Sequence, residues 1–272
     1  PRNSCVPQPD AVVDLETGRS LTLETFFGGL SPATLTAALA LVFGASVVRG
    51  LTGFGLAIIL VPLLGLIVEP AEAVVISILL QLLAGPIGLK RIMADGERST
   101  AIPISIAAIM ATPFGVWLLS VTAPDVARLA IATLALAAFG LMFVPAKEGA
   151  IPGRKETLAT GLAAGVLTGF ASMPGPPVVP FYLRRKLSPD VARASMLMVF
   201  FATAIAGSIA AFALGVANLH LLWLSVLFYP ALYIGTRLGE LAFGKVSEPV
   251  WRTLVGIILG VAGVAAVVRL LN

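Results

Sequence analysis

Apolar residues run almost without interruption along the chain, in two sets separated by one polar stretch. The first set falls at about 33–48, 55–68, 72–89, 101–120 and 126–145, and the second at about 157–171, 177–183, 191–214, 219–240 and 250–271. A helix needs ~20 residues to cross the hydrocarbon core of a bilayer. The runs at 72–89, 101–120, 126–145, 191–214, 219–240 and 250–271 meet that length or nearly so, which predicts spanning helices. The other four runs form two adjacent short pairs. One is broken at Val48-Arg49-Gly50-Leu51-Thr52-Gly53-Phe54-Gly55 and the other at Thr168-Gly169-Phe170-Ala171-Ser172-Met173-Pro174-Gly175-Pro176-Pro177. Glycine favours other backbone angles and proline lacks a donor, so regular helix stops at both places. Broken backbone at membrane depth survives only where protein or a water-filled cavity satisfies it.

The two sets resemble each other. Leu51-Thr52-Gly53-Phe54 matches Leu167-Thr168-Gly169-Phe170, and further matches follow in order: Pro70 and Ala73 with Pro189 and Ala192, Gly115 and Leu118 with Gly235 and Leu238, Arg128 with Arg252. Ordered matches at nearly constant offset indicate a duplication. The expected organisation is a tail or interfacial segment at 1–30, a first membrane repeat at 31–145, a linker at 146–156 and a second repeat at 157–272. The expected fold class is all-α and polytopic, each repeat holding a broken or re-entrant hairpin and three transmembrane helices. Hairpins are favoured at 33–68 and 157–184 because 177–183 is far too short to cross, while the length of 33–48 keeps two true spans open.

Composition agrees with lipid as the solvent. The chain is 58% hydrophobic and only 12% charged, with a mean hydropathy of +1.00, against roughly a quarter charged in soluble domains. Lys and Arg collect at Lys90, Arg91 and Arg98, at Lys147, Arg154 and Lys155, at Arg184, Arg185 and Lys186, and at Lys245, while the intervening loops carry none. With five segments per half, every cluster falls on one side, which the positive-inside rule makes cytoplasmic. Both termini are then extracytoplasmic, and the second half is inverted relative to the first. The setting this predicts is a bacterial cytoplasmic (inner) membrane. The net charge of +4 is small and calls for no nucleic-acid partner. Cys5 is the sole cysteine, so no intrachain disulfide forms, and His220 is the sole histidine. No metal site or cofactor is expected, and an enzyme is not, since neither a His-Glu-x-x-His motif nor a serine–histidine pair exists. The partners expected are a small anion and the lipid bilayer; the sequence does not discriminate a monomer from a homodimer.

A family resemblance rests on the two broken regions. Gly50-Leu51-Thr52-Gly53-Phe54-Gly55, Pro62-Leu63-Leu64 and Pro70 to Ala73 resemble the first glycine-rich signature of the sulfite exporter TauE/SafE family. Gly165 to Ser172, Gly175-Pro176-Pro177, Pro180-Phe181-Tyr182 and Leu187-Ser188-Pro189 resemble its second. The likeness covers about 33–272; Phe54 and Leu56 stand where the first signature usually continues its glycines. It implies export of sulfite, sulfoacetate or a related sulfonate, with an anion channel or a transporter of a small non-sulfur carboxylate as alternatives.

The breaks also supply the candidate chemistry. A half-helix starting at the midplane offers free N–H groups and a partial positive charge to an anion, and inverted-repeat transporters bind substrate at such places. Thr52, Thr168 and Ser172 are expected to add hydroxyl donors, and Gly53, Gly169 and Gly175 to admit substrate oxygens to the backbone; the competing reading is that these small residues only let helices pack closely. Arg49 sits just before the first break, where a cation is expensive unless it faces a cavity or partner, and its planar fork suits a sulfonate. It competes with a snorkelling role at an interface. Gln81, in mid-segment, is a candidate contact or a helix tie. Phe54 and Phe170 are candidate gates, with ordinary packing as the alternative. Arg193 and Arg237 are expected to act as interfacial anchors or gate residues. With no carboxylate in mid-span, a proton relay is not evident, and the membrane potential is the expected driving force.

Overall fold

The computed structural model describes residues 31–87, 89–141, 152–185 and 187–242. The expectations for residues 1–30 (with Cys5), most of the linker and the last segment, 250–271, lie outside the described residues. The chain divides into Pro1–Ala37 and Ala38–Asn272. Of the first unit, Ser31–Ala37 are described; the Ser31 hydroxyl caps a helix start by accepting from Thr34 N–H at 3.2 Å. Apart from the first residues of the helix that begins at Pro32, everything below concerns the second unit.

The described residues form ten helices in chain order: α1 (Pro32–Thr52), α2 (Leu56–Leu64), α3 (Pro70–Ala84), α4 (Leu89–Asp95), α5 (Arg98–Val121), α6 (Pro124–Leu141), α7 (Arg154–Ala171), α8 (Gly175–Leu183), α9 (Pro189–Ala213) and α10 (Leu219–Ala242). The protein is an all-helical polytopic membrane protein: α1, α5, α6, α9 and α10 are long and apolar enough to cross a bilayer. Their boundaries follow local chemistry. Proline opens α3, α6 and α9 at the first helical position, where its missing N–H is not needed. Asn218 caps α10 through Leu221 N–H at 2.9 Å. The run 72–89, expected as one span, ends earlier. The helix stops at Ala84, and Gly85-Pro86 turns the chain into the separate α4. Pro86 cannot donate into a continuing helix, and the Phe201 ring packs where a Gly85 side chain would stand.

Two helix seams are close enough that only glycine fits. Between α5 and α7, a β-carbon on Gly115 would lie 3.0 Å from the Gly169 α-carbon and would run into the Val166 carbonyl. Between α1 and α10, a β-carbon on Gly50 would lie 2.8 Å from the Gly239 α-carbon and would strike the Thr236 carbonyl. In lipid, such small-residue contacts replace the hydrophobic driving force between helices. The seams are reciprocal. The first helix of each sequence half packs on the fourth-segment helix of the other half. α3 lies inside, with every residue from Ala73 to Leu80 buried. On α5, Ile102, Ile106, Met110, Phe114, Trp117 and Val121 form an exposed apolar stripe, the face a lipid-solvated helix presents.

Candidate functional site

Both breaks are now visible as local structure. α1 ends at Thr52; Gly53 (φ 82°) and Gly55 (φ 94°) take left-handed conformations, and α2 begins at Leu56. The Thr52 hydroxyl is within reach of the carbonyls of Phe54 (2.6 Å) and Val48 (2.9 Å) and accepts from Phe54 N–H at 3.2 Å, so it braces the turn. α2 carries no side-chain cap. Its first backbone bond is Ile59 N–H to the Gly55 carbonyl at 3.3 Å, which leaves the N–H groups of Leu56, Ala57 and Ile58 without an acceptor among the described residues. At the other end of α2, the buried Arg128 donates through Nε to the Gly65 carbonyl at 2.9 Å and through Nη1 to Asp125 at 2.6 Å. The negative end of this short helix is satisfied and its positive end is left open.

The second break is built alike but capped differently. α7 ends at Ala171, and Ser172 takes the left-handed conformation (φ 59°, ψ 21°), the sole non-glycine with positive φ among the described residues. Gln81 holds it there, donating through Nε2 to the Ser172 carbonyl at 3.0 Å and hydroxyl at 2.6 Å; the hydroxyl passes its own proton to Ser77 at 3.0 Å. Ser77 and Gln81 lie one turn apart on α3, so both reach the same break. α8 then starts Gly175-Pro176-Pro177 after Pro174. Three prolines leave Gly175 as the one free N–H of that helix start.

A cleft opens between the breaks, its atom-free space amounting to about 540 Å³ when the open solvent at its mouth is included. Its polar wall comprises Arg49, Gln81, Ser172 and the backbone from Gly53 to Ile58, with Gly175 opposite. Its apolar wall adds Phe54, Met173, Pro174 and, from α4 and α9, Ile92, Leu197, Phe200 and Phe201. No Asp or Glu lines it among the described residues. Arg49 lies in the last turn of α1 and makes no hydrogen bond to a described residue; Arg193 and Glu240 are the charges that act on it. Arg193 lies across the break, its side chain where a β-carbon on Gly53 would stand, 2.9 Å away, and donates to the Gly50 carbonyl at 3.1 Å.

The structure therefore brings together Arg49, Gly53, Phe54, Gln81, Ser172 and Gly175 among the residues singled out by sequence. The others stand elsewhere. Thr168 is buried, its hydroxyl donating to the Ala164 carbonyl at 2.7 Å; Gly169 forms the seam with α5; Phe170 is buried within α7; Thr52 braces its turn. None of the three hydroxyls expected as donors is offered to the cleft, because each is engaged within the protein. Phe54 and Phe170 match in sequence but not in place: Phe54 sits in its break and lines the cleft, whereas Phe170 still lies within α7, which ends at Ala171, and Met173 lines the cleft beyond that end. Arg237 is exposed, pairing with Glu240 at 3.1 Å beside the Tyr233 ring. Ile92, Leu197, Phe200 and Phe201 carried no signal in sequence, being apolar residues in or beside apolar runs.

A family model described as Sulfite exporter TauE/SafE matches residues 38–266. The chain belongs to the sulfite exporter TauE/SafE family. Comparison with curated proteins and with solved structures gives no match. Members of this family are membrane transporters and not enzymes, so this TauE/SafE protein is a multi-pass membrane protein of the exporter type, and the cleft is its candidate substrate site.

Proposed function

We propose that this TauE/SafE protein is a secondary transporter that exports a small organosulfur anion (sulfite, sulfoacetate or a related sulfonate) from the cytoplasm, binding it in the cleft between two repeats of inverted orientation. The observation that carries this reading is the electrostatic character of the cleft. The open positive end of α2 and the Arg49 guanidinium converge on it, with no described carboxylate on its wall. Unsatisfied N–H groups at a helix start and a planar cation are the usual receptors for multi-oxygen anions. The inverted-repeat reading is supported by the matching nine-residue helices α2 and α8 after each break, and by the reciprocal glycine seams. A negative cell interior drives a monoanion outward by ~2.3 kcal/mol per 100 mV, and in this proposal both termini lie outside.

The test is counterflow in proteoliposomes. Vesicles loaded with unlabelled sulfite should accumulate labelled sulfite transiently, and Arg49→Ala should abolish it. Passive conductance without counterflow would identify an anion channel. Counterflow with a small carboxylate but no sulfur anion would move the substrate to that class.

A further inference from the structure

Gln81 holds a polar atom toward the cleft that an anion alone would not use. The backbone oxygen of Ser172 can only accept, so the amide atom 3.0 Å from it is Nε2. The second Nε2 proton goes to the Ser172 hydroxyl at 2.6 Å, and that hydroxyl donates onward to Ser77 at 3.0 Å. Both amide protons are engaged, and a flipped amide would set Oε1 against the Ser172 carbonyl oxygen, which can only accept. Oε1 accepts nothing from a described residue and is not sealed from solvent, while the residue lines the cleft. The cleft thus has two unlike poles. Arg49 and the α2 start offer donors only; Gln81 offers an acceptor. A sulfonate oxygen set against Oε1 meets repulsion, and a hydroxyl or N–H set there gains a hydrogen bond in a partly desolvated place.

Resting on the anion-site reading above, we infer that Gln81 is a specificity determinant that reads a hydrogen-bond donor on the substrate. The preferred class is then a monoanionic sulfonate with a hydroxyl or N–H group a short carbon chain away from its head. The chain lies along the aromatic wall of Phe54, Phe200 and Phe201.

The experiment is ligand-induced thermal stabilisation of the purified full chain by three probes sharing one sulfonate head: 2-hydroxyethanesulfonate, 2-methoxyethanesulfonate and ethanesulfonate. The methoxy compound accepts but does not donate. Roughly tenfold tighter apparent binding of the hydroxy compound than of either other probe is expected for one such hydrogen bond, and that ratio should fall to about one in Gln81→Met. Equal binding of all three to wild type overturns the inference while leaving the anion site standing. No stabilisation of a well-folded wild type by any probe overturns the anion site and the inference together. A hydroxyl preference that persists in Gln81→Met overturns the role of Gln81. Should that variant fail to fold, the wild-type hydroxy-to-methoxy ratio decides, since ordinary polarity would not separate those two.

Discussion

Replacing Arg49 by Met should separate binding from stability. The guanidinium lines the cleft, half-buried, and makes no hydrogen bond to a described residue; burial and the nearby Arg193 disfavour the cation, and Glu240 offsets them in part. In the empty protein it is a cation in an unfavourable place, so its removal is neutral or mildly stabilising. In the complex it supplies a charge-assisted hydrogen bond, and its loss should weaken binding by about 1.5–3 kcal/mol, roughly a 10- to 150-fold rise in Kd. At a ligand concentration of ~100 wild-type Kd, the wild type gains about 2.7 kcal/mol of stability; by the same mass action the variant gains only about 0.3–1.4 kcal/mol. Heating curves of detergent-solubilised protein, with and without sulfite, read both quantities. Arg128→Met is the comparison, because Arg128 is also buried but is engaged by the Gly65 carbonyl and by Asp125. It should lose about 1–3 kcal/mol without ligand, toward the lower part because Asp125 is 63% exposed and screened. If Arg49→Met were as unstable as Arg128→Met and kept its full response to sulfite, Arg49 would be a structural cation and the reasoning refuted.

Two glycines of α1 should respond oppositely to alanine. At Gly50 the new carbon meets the α10 backbone at Thr236, Gly239 and Glu240, which no rotamer relieves, and thermal unfolding should show a loss near the upper end of about 1–3 kcal/mol. At Gly44, where nothing lies within 4 Å, alanine should gain roughly 0.5–1 kcal/mol. Gly53→Ala should be unstable by about 1–2 kcal/mol, read in the same unfolding curves, because φ is 82° and the side chain of Arg193 fills the space. Arg185 pairs twice with Glu97, once at 2.7 Å, and donates to Thr100 at 2.8 Å, joining the end of α8 to the start of α5. Arg185→Met should lower the unfolding free energy by about 1–3 kcal/mol, with sulfite stabilisation unchanged since the residue does not line the cleft.

The breaks were legible in sequence because glycine and proline act locally: the positive φ of Gly53 and the stop at Ala171 need no knowledge of the rest of the chain. Arg49 was legible for a related reason, a charge in an apolar run needing a destination. The partners of the hydroxyls were not legible, because Thr52, Thr168 and Ser172 show only their chemistry in sequence. Each has a carbonyl or hydroxyl partner nearby in space, and a helical threonine such as Thr168 returns its proton to the carbonyl four residues back. Phe200 and Phe201 were invisible, since an apolar run does not say which face meets a cavity. The 72–89 run was read through Gly85-Pro86 because hydropathy averages over a turn that two residues create.

On the proposed duplication the two breaks share one design, and the differences between them are what the anion-site proposal draws on. After the first, α2 opens with ordinary residues and keeps its N–H groups; after the second, α8 opens on prolines and keeps almost none. The first has Arg49 in the last turn of the preceding helix and Arg193 on its end; the second is closed by a neutral amide from Gln81. A site with two equal halves would hold a substrate in two equivalent orientations. On the proposed reading this one has a donor pole and an acceptor pole, so an asymmetric anion would have a single favoured direction in the cleft. Charge and backbone donors sit together on one helix junction; on the proposed reading, discrimination among sulfonates then falls to Gln81, which shares the cleft with the aromatic rings of Phe54, Phe200 and Phe201.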